Sequence, residues 1–168
     1  MKKAVMIIAH EMFRDEEYSE PKAILEKAGI KVITASSTLG LAKGKLGMLA
    51  QVDMTIKDIN PAELDAVIFV GGPGSYGYHE DQEAHRIAKE TISAGKILGG
   101  ICAASGTLAF AGVLKNKKAT SFPGVSEILK SHGAHYTAKG VEVDGNIITA
   151  DGPESAAKFG EEIVKALK

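Results

Sequence analysis

The stretch Lys96–Leu114, KILGGICAASGTLAFAGVL, decides how this chain is read. KILGGI (Lys96–Ile101) reads as a buried strand. ASGTLAFAGVL (Ala104–Leu114) reads as a helix of small residues. Cys102 stands at their junction. The same alternation extends outward in both directions. Upstream lie a strand at Lys3–Ala9, a helix over EPKAILEKAG with Pro21 in its first turn and Gly29 as its stop, and a strand at Lys31–Ser36. Lys43–Lys57 has glycine breaks and partial alternation, which predicts a hairpin or meander. AVIFV (Ala66–Val70) is another buried strand. Ala84, Ile87, Ala88 and Ile92 are spaced for a helix over Glu80–Gly95. Downstream, GVSEILKSHG is a short helix, VEVDGNIITA a hairpin about Asp144-Gly145-Asn146, and PESAAKFGEEIVKALK a closing helix. Repeated strand–helix units predict an α/β fold, a mostly parallel sheet with helices on both faces. Functional loops then gather at the carboxyl ends of the strands, here after Ala9, Val70 and Ile101.

Bulk properties narrow the classes. The chain has 168 residues, enough for one domain spanning residues 1–168 with a full core. Its net charge of −1 gives no pull toward nucleic acid or an acidic membrane. The apolar runs are too short to span a bilayer. Met1-Lys-Lys followed by AVMIIA faintly resembles a signal peptide, but it runs into HEMFRDEE with no small-residue cleavage site, so it reads as the first strand. One cysteine excludes an internal disulfide and fits a cytoplasmic location.

Gly71–Gly77, GGPGSYG, contains G-x-G-x-x-G, a pattern also used to bind nucleotides. The dinucleotide fingerprint sits in the first βα turn with an acidic residue about 20 positions on. This one lies mid-chain, the next strand ends in Gly-Gly-Ile, and Pro73 lacks an N–H. A plain tight turn accounts for the glycines. A sharper reading is that Gly71 and Gly72 bring bare backbone to a reacting atom. That atom is the sulfur of Cys102, because GGICAASG resembles the nucleophile elbow G-x-S-x-G with cysteine as nucleophile and Ala104 at the last glycine. A helix N-terminus beneath the sulfur predicts a pKa below the ~8.5 of a free thiol. The N–H groups of Gly72 and Ala103 are positioned in sequence to form an oxyanion hole. The plainer alternative is an inert core cysteine.

Taken together, EEYSEP, GIKVITAS, DAVIFVGGPG, GKILGGICAASGTLAFAGVL, ATSFPG and VDGNIITADGP are similar to the ThiJ/PfpI superfamily, within the class I glutamine-amidotransferase-like folds. The match runs through nearly the whole chain. It implies a flavodoxin-like three-layer α/β/α sandwich, a homodimer or higher homo-oligomer, and a reactive cysteine at Cys102. It also implies a glutamate that hydrogen-bonds the sulfur, which falls on Glu17, four residues before Pro21. Glu11, Asp15 and Glu16 are its rivals, as members of a solvated acidic loop. A carboxyl in an apolar pocket beside a thiolate has its pKa raised and suits general acid/base work. If it stabilises sulfur, Glu17→Ala raises the thiol pKa.

The chain departs from the family at two places. Protease-like members carry histidine directly after the cysteine, where this chain has Ala103. Others carry it after the next strand, where Phe122 stands. A Cys-His peptidase is weakened accordingly. His79, just beyond the glycine turn, is the candidate for a relocated proton-transfer partner. His10 is a second. The competing reading of both is a solvent-facing loop histidine. No ligand spacing suggests a metal, and no cofactor is expected. The expected function is cofactor-independent cysteine chemistry on small reactive carbonyls or their adducts, glyoxalase III-like or deglycase-like, with a small-molecule or modified-protein substrate. The alternatives are an oxidation-sensing stress chaperone using Cys102 and a PfpI-type intracellular peptidase or amidase.

Overall fold

The computed structural model describes residues Met1–Lys168. In chain order the elements are β1 (Lys3–Ile7), β2 (Glu11–Phe13), α1 (Asp15–Lys27), β3 (Lys31–Ser36), β4 (Gly40–Gly44), β5 (Leu49–Val52), β6 (Met54–Thr55), β7 (Ala66–Phe69), α2 (Gln82–Ser93), β8 (Ile97–Ile101), α3 (Ser105–Phe110), β9 (Lys118–Ala119), α4 (Ser126–Ser131), β10 (His135–Tyr136), β11 (Val141–Asp144), β12 (Ile147–Ala150) and α5 (Ala156–Leu167). Seven strands form the central sheet in the order β11-β12-β8-β7-β1-β3-β6. Only the β11–β12 pairing is antiparallel. The fold is the expected mixed α/β sandwich with a mostly parallel sheet.

The central strands are covered on both faces, which is why they read as unbroken apolar runs. Alternate residues of β1 separate the two layers. Val5 and Ile7 pack with Ile87 of α2, Leu108 of α3 and Leu129 of α4. Ala4 and Met6 pack with Leu25 of α1 and Phe159 and Ile163 of α5. The two glycines of β8 keep both layers tight. A Cβ at Gly99 would lie 3.0 Å from Phe159, and one at Gly100 would lie 2.9 Å from Leu108. From β1 the chain steps outward to β3 and β6, then returns to β7 on the other side. The crevice at that reversal lies beyond the carboxyl ends of β1, β7 and β8, where open α/β sheets place their sites.

Two local expectations are corrected, and a third is met with a detail added. Helix α1 begins at Asp15, with Arg14 as its N-cap, rather than near Glu20. The acidic run Asp15, Glu16 and Glu17 is its first turn, where negative charge complements the helix dipole. Pro21 therefore sits inside the helix, buried against α5. Gly160 permits that approach, since a Cβ there would lie 3.0 Å from the Pro21 Cα. The helix expected over Ala104–Leu114 is shorter. A 3-10 turn covers Cys102–Ala104, α3 ends at Phe110, and Gly112 at φ 84° lies just past the C-cap. The Lys43–Lys57 region forms the β4–β5 hairpin, which joins β2 in a separate three-stranded sheet, while β6 joins the central one.

Candidate active site

Cys102 occupies the first residue after β8 with φ 61°, a left-handed conformation that costs a non-glycine residue about 1–3 kcal/mol. The turn is held open by its surroundings. The N–H of Phe122 donates to the Cys102 carbonyl at 3.2 Å, and small residues line the bend. This is the elbow geometry that the sequence suggested.

Glu17 comes from the first turn of α1 and is fully buried. Its rivals are accounted for elsewhere. Glu11 is exposed, Glu16 pairs with Arg14, and Asp15 accepts the N–H groups of Leu46 at 3.0 Å and Met48 at 2.9 Å. Asp15 is thus a buried brace for the β4–β5 turn, not a solvated loop charge. Neither Glu17 carboxyl oxygen has a fully formed hydrogen bond; the Cys102 thiol and the Gly71 backbone are the looser partners acting on it. Burial lifts its pKa to about 7, opposed by the Cys102 contact and the Arg14 charge.

The glycine turn closes the third side. A Cβ at Gly71 would lie 2.6 Å from the Ile101 carbonyl and 2.7 Å from the Cys102 Cβ. Gly72, at φ 109°, is pressed against β2, so a Cβ there would lie 2.7 Å from the Met12 carbonyl. A Cβ at Gly74 would lie 2.7 Å from that of Ala9. Its own chain fills the space a phosphate cradle would need, which removes the nucleotide reading. The N–H groups of Gly72 and Ala103 lie close enough to the Cys102 sulfur to favour its charged form.

The thiol does not behave as a helix terminus alone would dictate. Burial, followed by the Glu17 charge, pushes Cys102 up to about 12. The expected depression fails because the sulfur is desolvated. The Ala103 and Gly72 N–H groups pull the other way without prevailing. Two of the three upward causes come from Glu17 itself. They vanish when Glu17 holds the proton, and its O–H can then donate to sulfur. Cys102 and Glu17 therefore shift each other's protonation from adjacent positions.

His79 lies elsewhere than expected. It is buried and does not line the cleft at Cys102. Its Nε2–H donates to the Ala103 carbonyl at 2.8 Å, and its own carbonyl accepts from His85 Nε2 at 2.6 Å. The ring packs between Tyr76 and Phe110, with centroids 4.8 and 5.6 Å away. Burial lowers its pKa. It is not a solvent-facing histidine, and its ring lies outside the lining of the Cys102 cleft. It ties the turn carrying Gly72 to the turn carrying Ala103. His79→Leu is expected to destabilise the fold by about 1–3 kcal/mol, because the buried hydrogen bond from the imidazole to the Ala103 carbonyl is lost. His79→Gln, which can still donate, should recover part of this. Equal urea midpoints for wild type and His79→Leu would refute the bracing role. His10 sits on the surface, its Nε2 at 3.2 Å from the Leu39 carbonyl.

The cleft above the pair has a volume of about 220 Å³. Sequence reasoning missed Arg14, Lys45, Tyr76 and Pro153 in its lining. Phe122, noted only as the occupant of an empty histidine position, is an aromatic wall. A larger groove of about 510 Å³ runs between α1 and β5, but it holds no thiol. No cluster of three or more His, Cys, Asp or Glu side chains is placed to hold a metal. No helix is long and apolar enough to cross a membrane.

A model of the DJ-1/PfpI family matches residues 2–166. The chain belongs to that family. This DJ-1/PfpI chain is 43% identical over 169 residues to an uncharacterized protein of Methanocaldococcus jannaschii, covering 99% of itself and 82% of that protein. It is 32% identical over 164 residues to the deglycase PfpI of Pyrococcus furiosus, covering 98% of itself and 99% of that protein. Among solved structures, the ThiJ/PfpI domain protein from Brachyspira murdochii superposes with a TM-score of 0.96 at 33% identity, over 98% of this chain and 95% of that one. The elbow, the glycine turn and α1 of this DJ-1/PfpI chain thus belong to a fold shared along its length.

Proposed function

We propose that this DJ-1/PfpI chain is a cofactor-independent cysteine enzyme acting on small reactive carbonyls or their adducts, in the glyoxalase or deglycase sense. The observation that carries the reading is the pair itself. A strained, half-buried Cys102 faces a fully buried Glu17 whose pKa is about 7, in a cleft with no histidine. A carboxyl titrating near neutrality can both give and take a proton at working pH, which a Cys-His pair would otherwise require histidine to do. The deglycase name of the Pyrococcus furiosus relative points the same way.

With methylglyoxal, the Glu17 carboxylate takes the thiol proton as Cys102 sulfur bonds to the aldehyde carbon, and it returns that proton to the new alkoxide. The Gly72 and Ala103 N–H groups hold that oxygen. The Glu17 carboxylate then removes the proton from the former aldehyde carbon and returns it to the adjacent carbon, while the hydroxyl proton passes to the neighbouring carbonyl oxygen, giving a lactoyl thioester. Water opens the thioester, releasing lactate and restoring the thiol. The net change is one methylglyoxal and one water to one lactic acid. An adduct substrate enters at the same carbon and releases its amine or thiol. The test is proton NMR of methylglyoxal incubated with metal-free, thiol-free protein. Stoichiometric lactate supports the reading. Unchanged methylglyoxal and unchanged amino-acid adducts defeat it. The peptidase alternative lacks a histidine at the sulfur, since Ala103 and Phe122 hold the two usual places and His79 faces away.

A further inference from the structure

Two cations line the cleft beside Cys102, and the chemistry above uses neither. Arg14 is fixed by its own backbone, whose N–H donates to the Gly71 carbonyl at 2.9 Å. Glu16 grips its guanidinium at two points, with Nε to Oε1 at 2.9 Å and Nη2 to Oε2 at 3.0 Å. That fork sets the plane of the guanidinium and leaves Nη1 without a protein partner. Lys45 lies in the β4–β5 turn. Its backbone N–H donates to the Phe13 carbonyl at 2.8 Å, which anchors the turn to β2 beside the cleft. Its ammonium is exposed and takes part in no ion pair or hydrogen bond.

The nearby carboxylates do not cancel these charges. Asp15 is spent on the Leu46 and Met48 N–H groups. Glu16 neutralises one charge of the two. Glu17, the only carboxyl in the lining, is the group whose burial favours its neutral form. Phe122 and Pro153 add apolar surface to the same lining. The cleft thus combines two cationic donors with greasy surface.

We infer that the cleft takes small electrophiles bearing a carboxylate beside the reacting carbon, received by Arg14 Nη1 and Lys45 Nζ. The reacting carbonyl rests on the function proposed above. The charge preference belongs to the cleft itself and is measured without turnover. Arg14 and Lys45 are then specificity-determining residues, absent from the sequence reading.

The probes are iodoacetate and iodoacetamide, which differ by one negative charge. In each reaction the Cys102 Sγ–C bond forms, the C–I bond breaks, iodide leaves and the thiol proton passes to solvent. Cys102 is the only thiol, so intact mass reports it without ambiguity. Each rate is divided by that of 2-mercaptoethanol at the same pH. The normalised iodoacetate-to-iodoacetamide ratio is expected to be roughly tenfold above unity at low salt. It should fall severalfold in Lys45→Gln and in Arg14→Gln and in 1 M salt. Arg14→Lys should retain more of it than Arg14→Gln. Lys43→Gln removes an exposed cation of β4 outside the cleft and should leave the ratio alone. Thermal melts of each variant show that it is folded. A wild-type ratio at or below unity overturns the inference, as does a ratio untouched by both neutralising variants. A high ratio with methylglyoxal left intact sustains the charge preference while the carbonyl reading fails.

Discussion

Cys102→Ser is expected to abolish carbonyl turnover, by roughly 10⁴-fold or more, while leaving the fold in place. In the proposed reaction sulfur is the atom that bonds to substrate carbon, and a serine hydroxyl is a far weaker acid than a thiol. Glu17, at about 7, is not basic enough to prepare it. The swap is nearly isosteric. The φ of 61° at this position is imposed by β8 and by the Phe122 N–H on the Cys102 carbonyl, not by the side chain. The variant should therefore melt close to the wild type. The measurement is lactate formation from methylglyoxal after exhaustive removal of metals and small thiols. Turnover within tenfold of the wild type would mean that the chemistry does not pass through sulfur.

Glu17→Gln separates the roles of the second member of the pair. Turnover should fall by about 10²–10⁴-fold, since the variant can neither accept nor donate the travelling proton. Stability should move the other way. Glu17 has its pKa raised from 4.5 to about 7 in the folded chain. Between those values the folded state binds more protons than the unfolded state, so stability falls as pH rises through this window. At about 1.4 kcal/mol per pKa unit, the ionised carboxyl costs the native state about 3 kcal/mol above pH 7. Glutamine carries no charge at any pH, so Glu17→Gln should flatten this slope and unfold at higher urea than the wild type at pH 8. Two of the three causes that raise the Cys102 thiol also disappear. The midpoint of its alkylation against pH should drop, the reverse of what a purely stabilising glutamate would give. A midpoint that rises instead would show that the carboxyl acts on the sulfur chiefly as a proton donor. A higher urea midpoint with slower turnover is the signature of a group kept for chemistry at the expense of stability.

The two variants bear on the two residues that the sequence reading singled out most strongly. Cys102 was legible because its signals are local: a buried strand, a run of small residues and a helix in direct succession. The glycine turn was legible for the same reason, since close backbone approach requires absent side chains. Glu17 was reached through family resemblance and the spacing to Pro21. Nothing in EMFRDEE itself distinguishes it from Glu16 or Asp15. Helix α1 makes the distinction, because its first turn points one carboxyl inward, another at Arg14 and a third at the β4–β5 turn.

By itself, the sequence determined the alternation of strands and helices, the parallel sheet and the elbow at Cys102. Each follows from periodicity, propensity and side-chain size over a few neighbouring residues. The tertiary structure decided the start of α1 with Pro21 inside it, the early end of α3, the inward turn of His79 and the cations at the cleft mouth. It also decided the sign of the thiol shift. The helix dipole is a property of the local chain, and it argues for a lower pKa. Desolvation and the Glu17 charge depend on packing between segments 85 residues apart, and they prevail. Burial is a sum over the whole fold, so no window of sequence contains it.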